Sequence, residues 1–202
     1  TTVGPSGEAM MDLTVRDALA AGADGVVVVV RSEIRDEVGG HLERRWSEVT
    51  LVEQPGPGDG RNRPWGAAEA VGLALDACPP GWGIVVNADD HYGADAVTAL
   101  VDWARSTDPA SGTAGLVTWP LVATTSPTGP VTRAVCDVAD DGTLRDLVEH
   151  GEVLATGDGG ATADGVPVDP DAPVSMNLWA LPTSVGPRLR TVMVDNGLMR
   201  AG

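Results

Sequence analysis

The sequence predicts an α/β fold, a three-layer sandwich with a mostly parallel central sheet. Three observations point there. Helical stripes alternate with short apolar runs along the chain. The clearest of those runs, Gly25 to Val30, is nearly all valine and lacks polar alternation, as in a strand covered on both faces. The chemically loaded loops follow predicted strands, where open α/β sheets hold their ligands.

The elements justify this in order. Met11, Val15 and Leu19 recur at helical spacing, and Gly22 is placed to end that helix. The Gly25–Val30 strand follows. Ile34, Val38, Leu42 and Trp46 give a second helix stripe, with Ser32 as its N-cap and Gly39-Gly40 weakening its middle. Val49 to Glu53 is a short strand. Residues 55–64 are too dense in Gly and Pro for regular structure and make a loop. A helix from Gly66 to Ala77, stopped by Pro79-Pro80, precedes a third buried strand, Gly83 to Asn87. Val97, Leu100, Val101 and Ala104 mark another amphipathic helix. Gly115–Val122 and Val131–Val138 read as strands, Asp140–Gly142 as a turn, and Thr143–His150 as a strand or short helix. Residues 151–173, rich in Gly, Asp and Pro, read as a mobile loop. Val174–Trp179 is a last strand, before a helix from Thr183.

Composition narrows the function. The 202 residues suffice for one core and favour a single domain, 1–202. Hydrophobic residues make up 43% and charged residues 21%, a globular balance. The formal net charge of -16 has the wrong sign for a nucleic-acid partner. No apolar run is long enough for a membrane span, and no signal peptide is visible. Cys78 and Cys136 read as two buried thiols in a reducing cytosol, which makes the expected location cytoplasmic. All 13 basic residues are arginine, so no step uses a lysine ammonium or Schiff base.

Four segments carry candidate chemistry. Asn87-Ala-Asp89-Asp90 ends a buried strand; adjacent carboxylates there repel unless a cation or solvent neutralises them, which suits Mg²⁺ shared with phosphate oxygens. The plainer alternative has Asp90 capping the next turn. Arg61-Asn-Arg63-Pro64-Trp65-Gly66-Ala67 leads into a helix whose free N–H groups suit an anion, while Trp65 either stacks on a flat base or packs in the core. Gly4-Pro-Ser-Gly7-Glu8 is a shorter loop into a helix. Asn177, within Ser175–Trp179, carries an amide that needs partners inside an apolar strand, either a ligand or the protein itself. His91 is placed to touch a ligand beside the aspartates, whereas His41 and His150 read as surface residues and Glu149 as a lone acid near a strand end. There is no zinc spacing, P-loop or nucleophile elbow.

Taken together, Gly4-Pro-Ser-Gly-Glu, Met11-Asp12, Ala21-Gly22 before a valine strand ending at Arg31, Pro64-Trp65-Gly66, Asn87-Ala-Asp-Asp-His-Tyr-Gly93 and Ser175-Met-Asn-Leu-Trp179 occur in an order that resembles the bacterial nucleotidyltransferase family related to sugar-phosphate nucleotidylyltransferases. The resemblance covers nearly the whole chain and implies a Rossmann-like GT-A-type fold. The implied reaction transfers a nucleoside monophosphate from an NTP to a sugar phosphate or similar acceptor, releasing pyrophosphate, with Mg²⁺ as cofactor and neither nucleic acid nor membrane as partner. The implied roles are Asp89 as the catalytic metal ligand with Asp90 as helper, and Pro64, Trp65, Gly66 and Ala67 as the nucleobase segment, with Arg63 and Gly7 also on the nucleotide. Glu149 and Asn177 fall on the sugar phosphate. The family's first strand, Gly-rich loop and some carboxy-terminal part have no counterpart in this chain. The family's Thr after Pro-Trp-Gly, and its His two positions later, are here Ala67 and Glu69. Two alternatives remain open: a GT-A-type glycosyltransferase using an NDP-sugar, or a non-catalytic nucleotide-binding homologue.

Overall fold

The computed structural model describes residues 3–56 and 66–195. The chain divides into two compact units, residues 1–115 with 179–202, and residues 116–178.

The first unit holds the helix–strand alternation. Its elements are α1 (Met10–Ala20), β1 (Val26–Arg31), α2 (Arg35–Leu42), β2 (Val49–Gln54), α3 (Ala67–Ala77), β3 (Trp82–Val85), α4 (Ala94–Ser106) and α5 (Gly186–Asp195). β1 and β2 run parallel, from Val26 opposite Val49 to Arg31 opposite Gln54. Ser32 is not the cap of α2: a 3₁₀ turn, Ser32–Ile34, intervenes, and Ile34 occupies the cap position with no side-chain cap. α2 also stops at Leu42, which leaves Trp46 beyond it. Gly39 sits in the middle of α2 for a packing reason, since a Cβ there would stand 2.8 Å from Leu51 Cδ1 on β2. The α4 stripe is as expected, with Val97, Leu100, Val101 and Ala104 all buried. Burial of each Val or Leu of that stripe stabilises by roughly 1.5–3 kcal/mol. Val97 and Val101 form a core cluster with Ala21, and Ile84 and Tyr92 pack against it. α5 is tied to α3 by the Arg190–Asp76 ion pair.

The second unit departs from the expectation of a mostly parallel sheet. β4 (Gly115–Pro120) leads into it, and β5 (Val131–Val138), β6 (Leu144–Ala155), β7 (Ala161–Ala163) and β8 (Val166–Val168) form an antiparallel meander. β9 (Pro173–Pro182) places Val174 and Ser175 antiparallel to β5. Residues 179–182 of β9 belong to the first unit, where they pair antiparallel with β3. Only β1 and β2 pair in parallel among the ladders described. The reason is connection length. A parallel crossover needs a dozen or more residues, and the links between β5 and β8 are short turns.

The expected loop over 151–173 is likewise corrected, because most of it is strand. Val153, Ala161, Ala163 and Val174 are buried around Leu121, which supplies the apolar driving force. The turn between β7 and β8 is the two-residue Asp164-Gly165, with φ of 49° and 79°, the left-handed pair that suits a tight hairpin.

Among the described residues no helix is long and apolar enough to cross a membrane. Both cysteines are free; Cys136 is buried as expected and Cys78 only half-buried.

Candidate active site

The site builds from the carboxyl end of β3. The strand stops at Val85, two residues before the predicted end, so Asn87 stands in the connection to α4. Its backbone N–H donates to the Tyr92 hydroxyl at 3.0 Å. Its side-chain amide donates to Asp90 Oδ2 at 2.8 Å. Asn87 thus bridges the Tyr92 hydroxyl and the Asp90 carboxylate. Asp90 is therefore a half-buried, engaged acid. Asp89 is exposed, and its carboxylate has no hydrogen-bond or ion-pair partner among the described residues. The predicted pair thus splits into a structural member and an available one.

The electrostatics agree. Burial pushes the Tyr92 phenol up, to about 12. The Asn87 N–H opposes the rise, and the Asp90 and Asp89 charges add to it.

His91 follows the pair, with Nδ1 3.9 Å from Asp17 Oδ2. Asp17 is buried in α1, and Arg16 donates to its Oδ1 through Nε at 3.0 Å and Nη2 at 2.9 Å. Among the described residues, no three His, Cys, Asp or Glu side chains converge to hold a metal by themselves.

The second segment is described only from Gly66 onward. Arg61, Arg63, Pro64 and Trp65 lie outside the described residues. Gly66 precedes α3 with φ of 102°, a left-handed value that favours glycine, and Gly66 and Ala67 are both exposed. Glu69, one turn in, is 6% exposed and accepts a hydrogen bond from the Gln54 amide at 2.7 Å.

The amino-terminal loop is closed on itself. Gly7 N–H donates to Gly4 O at 3.2 Å, Ser6 N–H to Glu8 Oε2 at 2.8 Å, and Val3 and Gly4 N–H to Glu8 O. Arg45 holds the Ser6 and Gly7 carbonyls. The helix that follows begins on a buried carboxylate. Asp12 is 2% exposed and accepts bonds from Ala9 N–H at 2.7 Å, Trp46 Nε1 at 2.9 Å and His41 Nε2 at 2.6 Å. Burial would raise Asp12, but the bonds from Trp46, His41 and Ala9 outweigh it and hold the acid below its ordinary value.

In the second unit, Glu149 on β6 stands opposite Ala134 on β5, and Ala134 opposite Ser175 on β9, so the three form one cross-strand row. Glu149 is exposed. Asn177 lies inside β9 as expected, but it is not enclosed there. It is exposed, adopts φ of 64°, and its N–H donates to the buried Ser175 Oγ at 3.1 Å. Its exposure leaves the side-chain amide to solvent, so it needs no buried partner. His41 and His150 are not solitary surface residues either: His150 Nδ1 lies 2.8 Å from Asp164 Oδ2, the counterpart of the His41–Asp12 pair.

Sequence reasoning did not assign roles to Tyr92, Asp17 or Gln54. Tyr92 is the only tyrosine in the chain and lies inside the Asn87–Gly93 motif, a signal that was there to be read.

No family model matches the chain, and no curated protein matches it. Solved structures do. One is the crystal structure of HddC from Yersinia pseudotuberculosis, with a TM-score of 0.56 at 14% identity, covering 91% of this chain and 67% of that one. Another is 4-diphosphocytidyl-2C-methyl-D-erythritol synthase from Anaerococcus prevotii DSM 20548, with a TM-score of 0.52 at 11% identity, covering 93% of this chain and 66% of that one. The chain therefore spans about two thirds of the length of these structures. At such identities the likeness is one of fold alone.

Proposed function

We propose that the chain is an Mg²⁺-dependent nucleotidyltransferase that moves a nucleoside monophosphate from an NTP to a sugar phosphate or a similar phosphorylated acceptor and releases pyrophosphate. The observation that carries this reading is the exposed Asp89 carboxylate, unengaged among the described residues, on the turn after β3 beside an Asp90 that is engaged. The order of motifs in the sequence and the likeness in fold to a synthase named for a diphosphocytidyl product support it.

In this reading an acceptor phosphate oxygen forms a bond to the α-phosphorus as the bond from that phosphorus to the pyrophosphate oxygen breaks. Such a transfer needs no covalent intermediate on the protein, so side chains act by positioning and by managing charge. Asp89 would hold Mg²⁺, which when bound neutralises phosphate charge. Asp90 shapes the turn that presents Asp89. The open N–H groups at the start of α3, around Gly66 and Ala67, would meet the nucleotide, in company with Arg63, Pro64 and Trp65. Glu149 and Asn177, both exposed, would contact the acceptor.

Calorimetric titration with each common NTP, with and without Mg²⁺, tests the reading. The expected result is saturable, Mg²⁺-dependent binding of one NTP, followed by pyrophosphate release when a sugar phosphate is added. Absence of binding for every NTP in both conditions would overturn it. Turnover of an NDP-sugar without pyrophosphate would favour glycosyl transfer instead.

A further inference from the structure

We infer that Tyr92 is a positioning residue of the cation site, acting through Asp90 on the turn that carries Asp89. The inference rests on the reading of Asp89 as a cation ligand and adds how the chain holds that ligand in place. Three observations carry it. The Tyr92 ring packs against the Ala21, Val97 and Val101 cluster, so its base is fixed to α1 and α4. Its hydroxyl oxygen accepts the Asn87 backbone N–H at 3.0 Å. Asn87 carries the contact on through its side-chain amide, 2.8 Å from Asp90 Oδ2.

The phenol thus joins an apolar core to a polar turn, the division of labour for which tyrosine is suited. Asp90 receives the Asn87 amide, and Asn87 is in turn anchored by the Tyr92 hydroxyl, so the phenol sets the Asp90 rotamer through Asn87. Asp89, the next residue toward β3, then has its backbone direction fixed without any side-chain contact of its own. Loss of the hydroxyl alone leaves the Asn87 N–H without its acceptor and so loosens the residue that holds Asp90. Two adjacent carboxylates, one held less firmly, then compete for orientation on the turn. Outer-shell groups of this kind typically set metal affinity by tenfold or more.

The test uses the whole chain, with Mn²⁺ as the probe in the presence of the NTP that binds, and free Mn²⁺ read by electron paramagnetic resonance. Tyr92→Phe keeps the ring and is expected to weaken Mn²⁺ on the order of tenfold. In an Asp90→Asn background the same change should weaken it much less, because the route through Asp90 is already cut. Equal Mn²⁺ affinity for wild type and Tyr92→Phe overturns the positioning role while leaving the nucleotidyltransferase reading intact. A full additive loss in the Asp90→Asn background overturns the route through Asp90. No Mn²⁺ binding by the wild-type chain with any NTP overturns both readings together.

A measurement on the unaltered chain stands beside these. Because Tyr92 is the only tyrosine, a ¹³Cζ-tyrosine label gives one resonance at neutral pH. That resonance should shift as Mg²⁺ is added with the NTP and saturate with the binding isotherm. A resonance that stays fixed through saturation would sink the coupling even if the Tyr92→Phe chain fails to fold.

Discussion

Asp12 and Asp89 are both carboxylates of the first unit, and the protein treats them in opposite ways. Asp12 is 2% exposed and accepts bonds from Ala9, His41 and Trp46. Asp89 is exposed and accepts none among the described residues. A buried carboxylate tolerates its setting only when its lone pairs are filled, so Asp12 is part of what holds α1 to α2 and to the segment after it. An unfilled carboxylate on a turn next to another acid holds nothing in the fold together. Its arrangement suits a partner from outside. Asp90 lies between the two extremes, half-buried and held by the Asn87 amide.

The comparison is most easily broken at Asp12. Asp12→Ala leaves the Trp46 and His41 donors and the Ala9 N–H facing a void, and the expected loss is about 3–5 kcal/mol. For a chain of this size that lowers the melting temperature by roughly 6–20 °C. A melting temperature unchanged by the substitution would remove Asp12 from the stabilising side of the contrast.

Asp89→Asn should do the reverse. Its effect on stability should stay within about 0.5 kcal/mol, as for a surface change away from structural contacts. Mg²⁺-dependent nucleotide binding should fall by on the order of a hundredfold or more, beyond the roughly tenfold typical of an outer-shell group. Asp90→Asn should weaken binding less and stability somewhat more. Equal small effects of the two substitutions on binding would sink the metal assignment.

The smallest effect concerns acid. The folded Asp12 lies below its ordinary value, whereas an unfolded aspartate titrates near ~3.9. The unfolded chain therefore binds the proton first as pH falls. The stability due to Asp12 is complete above about pH 4 and is lost as pH drops through the lower folded value. Urea unfolding from pH 6 down to 3 should show this loss in the wild type and a shallower one in Asp12→Asn. Identical slopes would show that the other lowered carboxylates (Asp141, Asp158 and Asp164) carry the acid sensitivity instead.

What the sequence made legible follows from the length of each signal. The helices on Met11–Leu19 and Val97–Ala104, and the Val26–Val30 strand, contain enough periods or enough valine to be read directly. β7 and β8 are three residues each, too short to show a period, and they sit among Gly, Asp and Pro residues that read as loop. The antiparallel order of the second unit therefore stayed hidden. The place of Asn87–Gly93 just after an apolar strand was legible, because two acids after an apolar run stand out. The split between Asp89 and Asp90 was not, because it depends on where the Asn87 amide and the Tyr92 hydroxyl reach. Asn177 misled for a related reason: an apolar run gives no sign that one residue within it turns to φ of 64° and faces solvent.

The two free cysteines fall one to each unit: Cys78 ends α3 in the first, half-buried, and Cys136 lies on β5 in the second, 4% exposed. Burial pushes both thiols up, so in the native state each is a slow nucleophile toward alkylating reagents. A pulse of such a reagent during partial denaturation, followed by peptide mass mapping, would record the opening of each unit under its own label, without any engineered probe.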